Sequence, residues 1–300
     1  MSGFRSISRA PSPFAQRSRA EVVTVVLADG AVERRFVKWL GPETHPDKRR
    51  RDREPLVFKQ LLDPGLPVPR YYGAYRDAVS RQHVLVLEYV DGWPLRYHGL
   101  ERWATAVREL ARLHARFASA GAALRECDFL LRLDGDYFRA WAIRASAAVD
   151  AHAPALRRRV QRALHNHDAV AELLAAQPPT LVHNDLAPKN VVVDVSNDPP
   201  RICFVDWEMA GAGCGLLDLA HLLHGFAGAE RAAVSSAYWS ELARARPAVA
   251  VAYGERVLAA CEFQNAIFRL AHIAAWGLDR ATVAERVEEL ERLRAAVRVW

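Results

Sequence analysis

The sequence predicts an α+β fold of two lobes, a small β-rich lobe over residues 1–90 and a larger helical lobe over residues 91–300. Three observations carry that expectation. Short β-branched runs broken by turn signals fill the first third of the chain. After Asp91-Gly92-Trp93-Pro94 the chain becomes rich in Ala and Leu, with a 3.6-residue apolar period. A single polar loop between two apolar runs, at residues 180–193, interrupts the helical part. Three hundred residues suffice for a sizeable core. A composition 51% apolar and 25% charged is that of a globular protein.

The elements follow in order. Residues 21–27 (EVVTVVL) are β-branched and end at the turn signal Ala28-Asp29-Gly30. Residues 32–40 alternate Val32, Phe36 and Leu40 against Glu33 and Arg35, which completes a hairpin. Residues 8–15 (SRAPSPFA) precede it as a loop, and no GxGxxG occurs there. Residues 53–62 have helical spacing, with Val57, Phe58, Leu61 and Leu62 on one stripe, stopped by Gly65, Pro67 and Pro69. Residues 71–75 and 83–90 predict two more strands. In the second lobe helices are expected over residues 103–117, 153–176 and 231–242. The last segment puts Val283, Val287, Leu290, Leu293, Val297 and Trp300 on one helix face.

Composition excludes several classes of function. No apolar run approaches the roughly 20 residues that span a bilayer, and the opening MSGFRSISRAPSPF has no apolar signal-like core. Cys127, Cys203, Cys214 and Cys261 are scattered without a CxxC pair, which fits reduced thiols rather than a disulfide frame or zinc site. The net charge of +6 raises nucleic acid as a partner. The basic run KRRRDR at residues 48–53 nevertheless reads as a solvated loop or helix start, and no zinc-finger spacing or aromatic-basic motif accompanies it. A cytoplasmic protein, monomeric or dimeric, with no nucleic-acid or membrane partner is expected.

Residues 183–190, HNDLAPKN, place His183, Asn184, Asp185, Lys189 and Asn190 in a loop pinned between strands. A second hairpin follows, through the turn at residues 196–200 to the run Phe204-Val205-Asp206-Trp207-Glu208. Its outer ends carry Asn190 and Asp206, which can meet on one side. Phosphoryl transfer needs such a set: a carboxylate that takes the proton of an attacking hydroxyl, and oxygen donors that hold magnesium on the nucleotide phosphates.

HNDLAPKN followed by FVDWE resembles the catalytic and metal-binding motifs of the aminoglycoside phosphotransferase and choline kinase families, small-molecule kinases of the protein-kinase-like fold. Asn184 stands where that family usually has Gly or Arg, and Trp207-Glu208 where protein kinases have Phe-Gly. The resemblance implies an ATP- or GTP-dependent O-phosphotransferase requiring Mg2+, with Asp185 as catalytic base and Asn190 and Asp206 as metal ligands. It implies that Lys38 pairs with the α- and β-phosphates and that Glu54 orients Lys38. Pro55 disfavours helical geometry at Glu54, so a helix-cap role for Glu54 stays open. The nucleotide base would meet main-chain groups of residues 88–91, Glu88 and Val90 among them, and Lys189 would lie near the transferring phosphate. Ser8 and Ser12 occupy the place of the family's phosphate loop, but Pro11 and Pro13 there donate no N–H. Gly211, Gly213, Gly215 and Asp218-Leu219-Ala220 resemble the family's glycine-containing segment, with Asp218 expected as a helix N-cap and loop brace. His183 and His114 are expected to be structural, and His165 and His167 to form a polar helix face.

The resemblance implies as acceptor a small hydroxylated molecule: an antibiotic, a sugar or an amino alcohol. Asp128, Asp134, Asp136 and Glu262 offer the makings of an acidic pocket, and Tyr137, Phe138, Trp141, Phe263 and Trp276 offer stacking surfaces. The alternative is a catalytically inactive kinase-fold module that binds nucleotide.

Overall fold

The computed structural model describes residues 4–13, 19–41 and 45–297. Phe14 and Ala15 of the expected phosphate loop, and Trp300 of the last apolar face, lie outside the described residues. In chain order the elements are β1 (Phe4–Pro11), β2 (Ala20–Leu27), β3 (Val32–Leu40), α1 (Arg53–Gln60), β4 (Tyr71–Arg76), β5 (His83–Glu88) and β6 (Trp93–Pro94). Then come α2 (Leu100–Ala118), α3 (Gly121–Glu126), β7 (Leu131–Arg132), α4 (Gly135–His152), α5 (Arg157–Ala163), α6 (His167–Ala175) and β8 (Pro179–Val182). The rest are β9 (Val191–Asp194), β10 (Arg201–Phe204), β11 (Gly211–Cys214), α7 (Leu216–Leu223), α8 (Gly228–Ala245), α9 (Pro247–Ala271) and α10 (Arg280–Ala296). They form two compact units, Met1–Arg102 with Pro188–Ala210, and Trp103–Ala187 with Gly211–Trp300. The catalytic-loop segment up to Ala187 and the hairpin that follows it thus belong to different units.

The first unit holds an antiparallel sheet in the order β1-β2-β3-β5-β4. The expected β2–β3 hairpin is present, and Gly30 takes φ +87° in its turn, a conformation a Cβ disfavours. Of the loop expected over residues 8–15, residues 8–11 instead belong to the edge strand β1, which is exposed along its whole length. An edge strand with no buried face has no apolar alternation to announce it; β2 alone supplies its ladder. Val37, Trp39 and Val84 pack together between the strands, with Val23 and Val86 against them. On α1, Val57 and Phe58 are buried as the stripe requires. Burying each such side chain stabilises the unit by ~1.5–3 kcal/mol.

The same unit contains a second sheet, β10-β9-β6. β9 pairs with β10 in the register Val191↔Phe204 to Asp194↔Arg201. Two-residue β6 adds Trp93 opposite Val193 and Pro94 opposite Val192. Gly92 permits that approach, since a Cβ there would stand 2.3 Å from the Val193 carbonyl oxygen. The connector after residue 90 is therefore stitched to a hairpin about a hundred residues further on.

The second unit is helical apart from the sheet β7-β11-β8. Leu110, Leu113 and Phe117 lie buried on one face of α2. The helical stretch expected at residues 153–176 holds two helices, α5 and α6, separated at Asn166, whose φ of +63° is left-handed. Ala and Leu on both sides of the break keep the apolar period, so composition hides it. His167 is buried, its Nε2 2.9 Å from Gln264 Oε1, rather than lying on a polar face; His165 is exposed. On α10, Val283, Val287 and Leu290 are buried. No helix among the described residues is long and apolar enough to cross a membrane.

Candidate active site

In the first unit β3 carries Lys38 into a nearly dry environment, 8% exposed at the side chain. The last four residues of β3 are all buried, both faces of the strand being covered there, so this lysine is not an exposed edge residue. Its Nζ donates to Glu54 Oε2 at 2.8 Å and to Asp206 Oδ1 at 2.5 Å, with Glu208 Oε2 4.0 Å away. Burial alone would push the ammonium pKa down; Asp206, Glu54 and Glu208 outweigh it and hold the pKa above the ordinary lysine value. Burial pushes the Glu54 carboxyl up, against the pull of Lys38.

Glu54 is the second residue of α1, and the N-cap position belongs to Asp52, which makes no side-chain cap bond. Helical geometry is thus reached at Glu54 despite Pro55. Its second oxygen accepts from the Trp207 amide at 3.1 Å, which joins α1 to the segment after β10. Glu208, which sequence reading left without a role, accepts from Lys48. Arg53 donates to the Glu208 carbonyl at 2.8 Å and to the Asp47 carbonyl. Two members of the basic run, which reads from sequence as a solvated loop or helix start, therefore brace this site, and Arg53 does begin α1. Glu208 lies 160 residues from Lys48 and 155 from Arg53, so nothing local in the sequence signals these contacts.

Asp206 sits in the left-handed region, φ +71°, at the end of β10, with its side chain 31% exposed. The Val205 amide donates to the Asn190 carbonyl at 3.0 Å, so the hairpin places residues 190 and 205 side by side. Asn190 is buried. Among the described residues no three His, Cys, Asp or Glu side chains gather as a metal site. Asn190 and Asp206 offer hard oxygen donors of the type Mg2+ prefers, and the carboxylates around Lys38 favour a cation, so the donor set fits that ion.

Glu88 closes β5. Its carboxylate accepts from Arg201 at 2.7 Å and from the Arg70 amide at 3.0 Å, and its own amide donates to the Arg70 carbonyl at 2.8 Å. Burial would raise the Glu88 carboxyl pKa, but those donors hold it below its ordinary value. Val90 is buried and its carbonyl accepts from the Gly92 amide at 3.1 Å. Lys189 is exposed, in the 3-10 turn Pro188–Asn190. Ser8 lies in exposed β1, and Ser12 is buried, its amide donating to the Ala20 carbonyl at 2.9 Å.

In the second unit Asp218 organises the loop that bears Asp185. Its two oxygens accept from the His183 amide at 2.7 Å and the Asn184 amide at 2.8 Å. His114 Nε2 lies 3.4 Å from it, and the His114 Nδ1 shares a 2.9 Å hydrogen bond with the Tyr238 hydroxyl. Full burial opposes ionisation of Asp218, yet His114, His183 and the amide donors keep its pKa below the ordinary value. Asp218 is the third residue of α7, not its N-cap, which is Gly215. A Cβ at Gly215 would lie 2.8 Å from His114 Nδ1, so only glycine lets α7 start there. The loop itself has Asn184 at φ +64°, and the Asp185 amide donates to His183 Nδ1 at 3.4 Å. Asp185 is half-buried. One turn beyond Asp218, His221 has a buried Nε2 with no hydrogen-bond partner; burial, partly offset by Asp185 and Asp218, brings its pKa down to about 4.

The acidic pocket considered from sequence does not gather. Asp134 caps α4 by accepting from the Tyr137 amide at 3.0 Å, Asp136 binds Arg139 at 2.8 Å, and Glu262 binds Arg231 at 2.6 Å. Phe138 and Phe263 are core residues.

The family described as "Phosphotransferase enzyme family" matches residues 15–285. No curated protein matches the chain by sequence. Among solved structures, an ethanolamine kinase of Plasmodium vivax is similar at TM-score 0.62 and 12% identity, over 97% of this chain and 82% of that one. Choline kinase LicA from Streptococcus pneumoniae is similar at TM-score 0.58 and 17% identity, over 98% and 94%. The GDP complex of aminoglycoside 2'-phosphotransferase-IIIa is similar at TM-score 0.54 and 15% identity, over 98% and 94%. These likenesses show a mixed α+β, protein-kinase-like fold.

Proposed function

We propose, since the chain belongs to the phosphotransferase enzyme family, that this small-molecule phosphotransferase moves the γ-phosphoryl group of ATP or GTP to an antibiotic, sugar or amino alcohol hydroxyl. Asp185 accepts the hydroxyl proton as the oxygen attacks the γ-phosphorus, and the nucleoside diphosphate leaves. Lys38 holds the α- and β-phosphates, and Glu54 fixes the position of Lys38. Asn190 and Asp206 would hold Mg2+, which supplies positive charge to the phosphate oxygens. Lys189, exposed near Asp185 in sequence, neutralises charge on the transferring group. Main-chain groups of Glu88 and Val90 receive the base. Residues 1–90 serve the nucleotide and residues 91–300 the chemistry and the acceptor. The protein acts in the cytoplasm, as monomer or dimer, on free small molecules.

The observation that carries this reading is the buried Lys38 bridge, which joins residues 16 and 168 positions away on one ammonium group. A buried ammonium between carboxylates is costly to assemble for stability alone, since apolar replacements do as well. Nucleotide phosphates and their metal give the arrangement a use. Calorimetry with ATP and with GTP, with and without Mg2+, tests it, followed by nucleotide consumption against a panel of hydroxylated antibiotics, sugars and amino alcohols. Magnesium-dependent binding and acceptor-dependent consumption are expected. Absence of magnesium-nucleotide binding contradicts the reading; binding without turnover on any acceptor returns the inactive module.

A further inference from the structure

Lys48 and Arg53 of the basic run are spent on Glu208 and Asp47, which leaves Arg49, Arg50 and Arg51 between them without a role. These three line a concavity of about 480 Å³ in the first unit, together with Arg76 at the end of β4 and Arg81 in the turn before β5. Residues 49–52 form one wall and the β4–β5 turn the other. Among the described residues that line it, five guanidinium groups stand against one carboxylate, that of Asp52.

The acids nearby do not neutralise it. Asp52 accepts from Arg50 Nε at 3.1 Å. Asp77 is committed to the turn, where it accepts from the Ser80 amide at 2.6 Å and the Ser80 hydroxyl at 2.7 Å. Glu43 is close in sequence but lies outside the described residues; counting it, arginine still outnumbers acid. Arg51 is tethered to the Lys48 carbonyl at 3.1 Å, and Arg76 Nε to the Arg81 carbonyl at 3.2 Å. Arg49 and Arg81 are exposed, and neither guanidinium has a hydrogen bond or ion pair among the described residues. Arg81 is left-handed, φ +58°, a conformation that glycine or asparagine fills at less cost. By contrast Arg19, Arg34 and Arg35 of the same unit each pair with an acid. Positive charge is left uncompensated at this concavity.

We propose that this concavity binds a small anion bearing two or more phosphate groups, at a site distinct from that of Lys38. Guanidinium forks match phosphate oxygens in pairs. Guanidiniums that share one concavity repel one another, and a multiply charged anion relieves that repulsion. A single anion reaches one or two of the five, whereas a chain of phosphates spans both walls. A nucleic acid needs an extended basic stripe, which the acid-paired Arg19, Arg34 and Arg35 do not supply. The inference does not depend on the phosphotransferase reading. Lys38 lies among three carboxylates, which repel a polyphosphate that carries no metal.

Calorimetry in magnesium-free buffer tests it, with inorganic tripolyphosphate as probe, sulfate as the single anion and a short single-stranded DNA as the macromolecular polyanion. One double variant is Arg49→Ala with Arg81→Gly, which removes two exposed guanidiniums and keeps the left-handed turn. The other, Arg108→Ala with Arg125→Ala, lowers the net charge equally at exposed positions of the second unit. Tripolyphosphate should bind wild type at least about tenfold more tightly than sulfate does. The first double variant should weaken tripolyphosphate binding about tenfold or more, the worth of a hydrogen bond to a charged group. Its ligand-free Tm and its affinity for magnesium-ATP should match wild type, and the second double variant should bind tripolyphosphate as wild type does. The proposal is overturned if wild type does not bind tripolyphosphate, or if the first double variant stays within about threefold of it. Equal loss in the second double variant overturns it as an effect of net charge alone. An equal loss of magnesium-ATP affinity in the first places the anion in the nucleotide site, and tighter binding of DNA or sulfate than of tripolyphosphate excludes the small polyphosphate; either result overturns it.

Discussion

The proposed reaction gives Asp206 and Asp185 different duties although both are carboxylates. Asp206 accepts from Lys38, itself clamped by Glu54, so replacing it disturbs the ammonium as well as any metal. Asp206→Ala should weaken magnesium-nucleotide binding together with turnover. Calorimetry with titrated magnesium checks this, and an unchanged magnesium dependence would put the metal elsewhere. His221 is a residue whose effect appears only in acid. Its pKa in the fold, about 4, lies below the ordinary 6.5, so between those values the unfolded chain takes up a proton that the native chain does not. Stability should therefore fall as pH drops from 6.5 towards 4, by at most about 3 kcal/mol from this group at ~1.4 kcal/mol per pH unit. Denaturant midpoints at pH 7, 5.5 and 4 for wild type and His221→Gln read the difference. The variant should show the shallower slope; equal slopes exclude His221 as the source.

Elements differed sharply in how much the sequence disclosed. The β2–β3 hairpin was legible from its β-branched run and turn residues, and α1 because its apolar residues recur at helical spacing, with Val57 and Phe58 buried. β1 was not, since it buries nothing, and neither was the break at Asn166, where a left-handed residue interrupts a run that stays apolar on both sides. The loop motif named Asp185, Asn190 and Asp206 by residue type and spacing. What it could not name were contacts across long sequence separation: Glu208 with Lys48, and Asn184 with Tyr137. Asp218 is intermediate. Its likeness to the family pattern pointed to a brace, and α7 does carry its carboxylate to two loop amides, though from inside the helix rather than from its cap. Asp218→Ala leaves the His183 and Asn184 amides buried without acceptors. At ~1–3 kcal/mol for each such group the loss should be about 2–6 kcal/mol. A thermal or denaturant melt measures it, and a change below about 1 kcal/mol would mean water or a shifted loop replaces the carboxylate.

Across the whole molecule, the excess of six positive charges says less than the way acids are spent. Glu54, Asp206 and Glu208 surround Lys38 in the first unit, whereas Asp134, Asp136 and Glu262 of the second are each engaged by a cap or an arginine. Negative charge is concentrated where a metal and phosphates would bind and is dispersed where an acceptor would. Acid should act on the fold at a second place as well. Burial would raise the Glu289 carboxyl pKa, but His224, Arg269 and Arg286 bring it down to about 2, so its contribution is present above pH 4.5 and lost as pH falls through that range. The central proposal is that Asp185 serves as the base and that Asn190, Asp206 and Lys38 hold the metal and nucleotide phosphates. The most direct test measures phosphate transfer from γ-labelled nucleotide to the best acceptor of the panel, beside magnesium-nucleotide affinity, in wild type and Asp185→Asn. Transfer should fall by about 10²–10⁴-fold, the usual worth of a general base, with affinity unchanged; transfer within about threefold of wild type would contradict it.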